Sequence, residues 1–472
     1  MNFRQLGLAS LGFMALTGCA LNRDLECNKF PRTSEICYSV SRNGRIESDS
    51  NAAALIGTVD LDLGMLIDIA LENNPETRKS WHLARVARAH VGQANSTFYP
   101  TVLLSGKVVR AEDNSFVSKT TRQKTTSTSY YPGIEIHYSL FQFGAGKDVA
   151  EAAKQALYAA NCQYDRAIQT VIHNVQRAYF SLCSAESTVM SNEYNLNDAL
   201  AAYESAFMRY QSGLISIQEY LQAKANKTQM EFELEQSRFA VESARADLAN
   251  ALGVKVSASI SVLHPVIPQN VSDVDQSIDA IMEEVVRARP DVAAAYANVR
   301  ARGYVVHSAH ARIWPELVIG GSASRKKYVD ASGTFDNFNV FAGISWKIFD
   351  GFNNIYTILE MKENLEIARQ ELRAAETLAR TEVWKDYFAF KSANKQLQAA
   401  RMFEHSARES FDAMVASFGS GLCKFTDLIS AQTCLANARR QRIVSENNLL
   451  MSLSNLAYST GGIVGHNLIQ SE

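Results

Sequence analysis

The chain runs to 472 residues, longer than one compact domain needs unless it repeats or extends. With 47% hydrophobic and 20% charged residues and only 8 prolines, it is a folding sequence and not a disordered one. Its formal net charge of −2 excludes a general electrostatic nucleic-acid binder, which would be more basic, so no nucleic-acid partner is expected.

At the N-terminus, Arg4 precedes the short apolar run "LGLASLGFMAL" and then "TGCA". That is the layout of a secretory signal peptide, expected over 1–18. Leu16, Thr17 and Gly18 before Cys19 also resemble the lipobox of bacterial lipoproteins. The resemblance implies cleavage before Cys19 and a covalent lipid on its thiol and new amino group, with no other cofactor. Ala20, in place of the aspartate that retains such lipoproteins at the inner membrane, favours the outer membrane. No later apolar run is long enough for a spanning helix, so any crossing must use β-strands. Cys27 and Cys37 sit in a polar stretch, where a disulfide and two separate thiols both stay open. Cys162, Cys183, Cys423 and Cys434 lie singly on helical patterns and read as small apolar residues.

From here the chain is written twice. Gly421 stands 208 residues after Gly213, Gly461 after Gly253, and "DYFAFKSA" after "AYFSLCSA". Upstream, Pro290 follows Pro75 by 215 residues and Pro315 follows Pro100 by the same interval. The 7-residue change of register falls between Pro100 and Phe141, so the first copy carries a longer connection there. Each copy opens with a helix led by proline (75–97 and 290–312), passes through two strands, and continues in a very long helix. The long helices are expected over 145–212 and 352–418, about 100 Å each at 1.5 Å per residue. A glycine-marked break and a returning helix (214–253 and 422–460) follow. Ile168, Val171, Val175, Ala178, Leu182, Ala185 and Val189 step by 3 and 4, as do Met230, Leu234, Ser237, Val241, Ala244, Leu248 and Ala251. The opening and returning helices laid end to end match the long one, as the wall of a tube would need.

In "YYPGIEIHYSLFQF", Ile134, Ile136, Tyr138 and Leu140 alternate with Glu135, His137 and Ser139. In "NVFAGISWKIF", Val340, Ala342, Ile344, Trp346 and Ile348 share a face opposite Gly343, Ser345 and Lys347. Apolar-out, polar-in alternation of this length suits a membrane β-strand, though a half-buried strand of a soluble sheet shows it too. Strands in lipid must close into a barrel, so four per chain would require oligomerisation. The segments "EDNSFVSKTTRQKTTSTS" and "RKKYVDASGTFDN" read as exposed loops.

The motifs "RPDV" (289–292), "WKIFDGF" (346–352), "YQSGL" (210–214) and "FGSGL" (418–422), with the duplicated β-β-α-α order, resemble the TolC family of outer-membrane efflux proteins. The resemblance covers residues 58–462 and includes the lipidated branch that serves tripartite drug pumps. It implies a mainly α fold with membrane β: a homotrimer whose outer-membrane β-barrel continues as a periplasmic α-helical coiled-coil barrel. The chain would divide into a signal peptide (1–18), a lipidated periplasmic segment (19–57), a first repeat (58–262), a linker (263–276), a second repeat (277–462) and a tail (463–472). Gly213 and Gly421 would mark the hairpin tips at the periplasmic end. The family's aperture aspartate matches Asp427, and its second one matches Ser430. A family arginine that links the tips matches Cys423, with its acidic partner at Glu219, so that link is missing and Lys424 is the candidate substitute. The partners implied are a periplasmic adaptor, an inner-membrane transporter and outer-membrane lipid. The function implied is passive export of small molecules or drugs; the exit duct of a type I protein secretion system and a pore-free coiled-coil lipoprotein are the alternatives.

No enzyme is expected. "FGAGK" (143–147) lacks the spacing of a phosphate loop and follows a strand. His307 and His310 have no third ligand in view, so no metal site is expected.

Overall fold

The computed structural model describes residues 60–118, 121–256, 260–265, 278–329 and 334–462. Cys19, Cys27 and Cys37, with the rest of 1–57, most of the linker and the tail, lie outside the described residues. In chain order the elements are α1 (Leu63–Asn73), α2 (Pro75–Asn95), β1 (Thr101–Ser118), β2 (Thr121–Phe141), α3 (Ala145–Gln211) and α4 (Ile217–Leu252). The second copy repeats them as α5 (Ile278–Ala288), α6 (Pro290–Ala311), β3 (Glu316–Tyr328), β4 (Thr334–Ser345), α7 (Asn353–Gly419) and α8 (Phe425–Ser459).

Helices α1 and α5 are additions to the sequence reading. Each has 11 residues, and each stops before an X–Pro step at Asn74–Pro75 or Arg289–Pro290. The residue before proline avoids the helical region, so a short helix ends there and a new one starts in another direction. The longer elements fall within a few residues of expectation. The returning helices start later than the sequence suggests, at Ile217 and Phe425, because three residues after each tip glycine are spent on the turn.

All four strands form one antiparallel sheet in the order β1-β2-β3-β4, leaving β1 and β4 as free margins. Cross-strand partners share a face, so the register can be read across the sheet. Val102 pairs with Ile136, Ile136 with Gly321, and Gly321 with Val340; Leu104, Ile134, Ala323 and Phe338 form the next row. One face is therefore apolar across all four strands, on the alternation expected for β2 and β4. Leu140 leaves that face, because the register shifts between Ser139 and Phe141. Two expectations need correction. The polar segment 112–129 is not a loop: Glu112 pairs with Thr126 and Phe116 with Arg122, so the first hairpin continues as a ribbon. Thr and Ser serve a pleated backbone well enough for the ladder to run on. Likewise Arg325 pairs with Asp336 inside the second hairpin. Conversely, β4 ends at Ser345, and Trp346, Lys347 and Ile348 lie beyond it; the Trp346 indole instead donates to the Ile313 carbonyl at 3.0 Å.

The helices make a wall with α3 at its centre. It packs against α4 and α8 toward the tips and against α2 and α6 toward the strands, while α7 packs on α8 and α6. The expected seam is buried: Val171, Val175 and Leu182 meet Val241, Ala244 and Leu248, and Leu234 is buried further along α4. Its counterpart 208 residues later is also buried, with Val383, Phe390 and Leu397 against Leu449 and Leu456. Ser237 is accommodated in the seam because its hydroxyl donates to the Leu234 carbonyl at 2.7 Å.

Where the returning helix meets the opening helix, each copy has a splice. In the first copy, Asn74 caps α2 through a 2.8 Å bond from the Glu76 N–H, and its amide donates to the Ala251 carbonyl of α4 at 2.8 Å. Gly253 sits in the left-handed region, and a Cβ there would lie 2.9 Å from both the Asn73 carbonyl oxygen and the Asn74 Cα. In the second copy Arg289 takes the place of Asn74 and donates to the Ser459 carbonyl at 3.2 Å. It also forks onto Asp291 (3.0 and 2.6 Å) and reaches Glu382 at 2.7 Å. Arg166 of α3 lies 3.8 Å from Asp291 and stacks 3.8 Å above the Tyr458 ring. The second splice is thus an ionic knot tying α3, α6, α7 and α8.

Candidate aperture at the hairpin tips

Both long helices end the same way. Gly213 and Gly421 have φ of +71° and +74°, which an L side chain rarely adopts. The Leu214 N–H then bonds back to the Arg209 carbonyl at 2.8 Å, and the Leu422 N–H to the Ser417 carbonyl at 2.9 Å. These are Schellman closures, and they turn the chain for the return helix.

The two return helices start with matched acidic residues. Glu219 Oε2 accepts from the Ser216 N–H at 3.0 Å, while the Ser216 hydroxyl accepts from the Glu219 N–H at 3.3 Å, a complete capping box. Asp427, 208 residues later, is the same position in α8: its carboxylate accepts from the Lys424 N–H at 3.2 Å. The ammonium of Lys424 has no lone pair to complete the box, so the second cap is half made. Asp427, Ser430 and Cys434 share an exposed face of α8, opposite the buried Phe425, Leu428 and Leu435. Lys424 lies at the edge of that face. Within the protomer Glu219 is held by Ser216 and not by Lys424.

What joins the tips is a residue absent from the sequence reading. The Arg209 guanidinium of α3 donates to the Phe418 carbonyl at 2.9 Å and lies 4.1 Å above the Phe418 ring. A cation at the C-terminal end of α7 meets unsatisfied carbonyls and the negative end of the helix dipole, a contribution of about 0.3–1 kcal/mol. Beneath it Ala206 and Ala223 of the first hairpin pack against Phe418, Phe425 and Leu428 of the second. The position matching Arg209 in the second copy is Ser417, so comparing the copies marks the residue as different but not as a clasp. Cys423 is half-buried, its thiol 3.7 Å from the Met414 carbonyl, and makes no link between tips. The tips therefore combine a rigid turn, an exposed carboxylate on α8 and a clasp through Arg209.

The outer membrane efflux protein family matches residues 66–254 and 281–462, the bulk of both repeats. The chain is 25% identical over 463 residues to the cation efflux system protein CusC of Escherichia coli O157:H7, covering 92% of this chain and 93% of that one. It is 22% identical over 428 residues to the probable outer membrane lipoprotein SilC of Salmonella typhimurium, covering 84% and 86%. Its fold is similar to that of the outer-membrane channel OprN, with a TM-score of 0.76 at 20% identity over 85% of this chain and 90% of that one. Duplicated repeats, a membrane-type sheet and a helical wall of matching order all agree with that family's extent, and the chain belongs to the outer membrane efflux protein family.

Proposed function

We propose that three copies of this chain close into the exit duct of a tripartite efflux system, exporting small molecules across the outer membrane. The observation that carries the reading is that the protomer is open at matching edges on two levels. The sheet ends in unpaired β1 and β4. The helical wall ends in α2 and α4 on one side and α7 on the other, with Leu221, Phe232 and Phe239 of α4 and Ile355, Leu359 and Ile367 of α7 exposed. One rotation satisfies both levels by pairing β4 with the next β1, and α7 with the next α2 near the strands and the next α4 toward the tips. Two copies would give an eight-stranded barrel, whose interior side chains fill; a third copy widens it to twelve strands, since barrel diameter grows with strand number. The partners that fit the tips are a periplasmic adaptor and, through it, an inner-membrane transporter. The likeness to SilC supports lipid attachment at Cys19. Labelled palmitate should enter the wild type and not Cys19→Ser; label on the serine variant would remove the lipid anchor from this account.

Planar-bilayer conductance tests the duct itself, and Asp427 tests its aperture. Three exposed Asp427 carboxylates brought near one axis would attract cations, and a divalent ion bridging them would block current. Asp427→Asn keeps an oxygen for the Lys424 N–H, so assembly should be unchanged while divalent sensitivity falls roughly tenfold. Glu219→Gln should change the block little. Equal sensitivity in wild type and Asp427→Asn would place the aperture elsewhere.

A further inference from the structure

We infer that the rim of the sheet farthest from the helices carries an outward-facing site for the phosphate groups of outer-leaflet lipid, with Arg110 and Lys327 as its cations and Tyr130 between them. The inference rests on the barrel reading above, since it takes the apolar face of the sheet as the face toward lipid.

The apolar face begins near the helices with the row Leu317–Ile344. Around that end stand exposed aromatics, Phe141, Phe143, Trp314 and Trp346, as at a membrane interface. Lys327 is ten residues along β3 from Leu317. At 3.3 Å per residue this is about 33 Å along the strand, and at a tilt near 40° about 25 Å along the barrel axis. That is the height of the apolar band, so Lys327 stands at the opposite interface. Its row is Val108, Tyr130, Lys327 and Thr334, in direct register across all four strands. One step outward on the same face, Arg110 pairs with Thr128.

Two other cations of this face are already matched. Arg325 forks onto Asp336 at 2.6 and 2.8 Å, and Lys124 meets Glu112 at 2.6 Å. Lys326 points the other way, over the rings of Tyr131 and Tyr328 at 4.9 and 4.6 Å. Within the protomer, Arg110 and Lys327 are left exposed and without a carboxylate among the described residues. They lie one strand to either side of Tyr130, each strand step being about 4.8 Å. Two unmatched cations beside a phenol, directly above an apolar surface, fit an anionic headgroup whose acyl chains continue down that surface. Continuity with the apolar band favours a lipid phosphate over a free one.

The test is lipid retention by the assembled full-length protein in detergent, measured by native mass spectrometry with bisphosphorylated lipid A as the probe. The double variant Arg110→Gln/Lys327→Gln should bind the probe about tenfold or more weakly than wild type. Lys107→Gln, on the inner face, should not change binding. Monophosphorylated lipid A should bind wild type more weakly than the bisphosphorylated form, with the difference reduced in the double variant. Arg110→Lys/Lys327→Arg should restore most of the affinity, which separates charge from misfolding. Unchanged retention in the double variant, or failure of the conservative pair to rescue it, overturns the site. Displacement of the probe by millimolar inorganic phosphate would make it a free-anion site and overturn the lipid assignment. Conductance of the same preparations tests the duct separately: loss of lipid with normal current supports the rim alone.

Discussion

Arg289→Ala is expected to destabilise the second repeat by on the order of 3–5 kcal/mol, seen as a large fall in the thermal midpoint of near-ultraviolet circular dichroism. Arg289 is 1% exposed and serves two carboxylates and a helix-terminal carbonyl at once. Removing it leaves Asp291 and Glu382 facing each other's field and uncovers the end of α8. Glu382 is 36% exposed, so water softens its share of the loss. Burial pushes the Asp291 carboxyl up, but the Arg289 fork and the nearby Arg166 outweigh it and hold the group below its usual value of 3.8. A depressed acid stabilises the fold above its unfolded pKa, and that contribution disappears as pH falls through the folded one. The gap between wild type and Arg289→Ala should therefore be widest near neutral pH and narrow below about 4. At the first splice, Asn74→Ala removes only a neutral cap and one amide bond, and about 1 kcal/mol is expected. Equal losses at the two splices would mean that the ionic knot adds nothing over a neutral joint.

Gly253→Ala should cost about 2–5 kcal/mol, far more than the same change at the three glycines that match it in conformation. Gly213, Gly421 and Gly461 all have φ between +71° and +74°, as Gly253 does. An L residue in that region costs roughly 1–2 kcal/mol wherever it occurs. Only at Gly253 does backbone stand in the way: the Asn73 oxygen and Asn74 Cα are each 2.9 Å from the new methyl position. At Gly213 and Gly421 nothing lies within 4 Å, and at Gly461 the nearest atom is Arg289 Cγ at 3.8 Å, on a flexible side chain. The four alanine variants thus separate dihedral strain from the steric demand of the splice. Midpoints measured on all four should place Gly253→Ala alone at the bottom. If the four fall together, the α4–α2 junction is looser than its close approach implies.

The contrast between the copies shows what the linear pattern could carry. Helix periods depend on neighbours three, four or seven positions away, and the 208-residue repeat on matching two stretches of one chain, so Val171 to Val189 and Gly213 identified themselves. The alternation through Ile134 and Ile136 likewise named the face that the sheet register later joined into one surface. Hairpin length was less legible, because Ser- and Thr-rich stretches suit an exposed turn and a paired ribbon equally, and only the partner strand decides. Trp346 followed the alternation of β4 in sequence, yet the Ile313 carbonyl takes its indole beyond the strand's end. Arg209 was hidden for the same reason, its acceptor lying 209 residues away; Arg289 stood beside Asp291 in the RPDV motif, but its bonds to Glu382 and the Ser459 carbonyl span 93 and 170 residues to other helices. By itself, the sequence determined the duplicated plan, the amphipathic faces and the turning points, since each follows from local geometry and the side chains along one element. Only the tertiary structure decided which cation clasps the tips, how the helices are spliced and where the unmatched charges of the rim stand, because those depend on groups that folding alone brings within bonding distance.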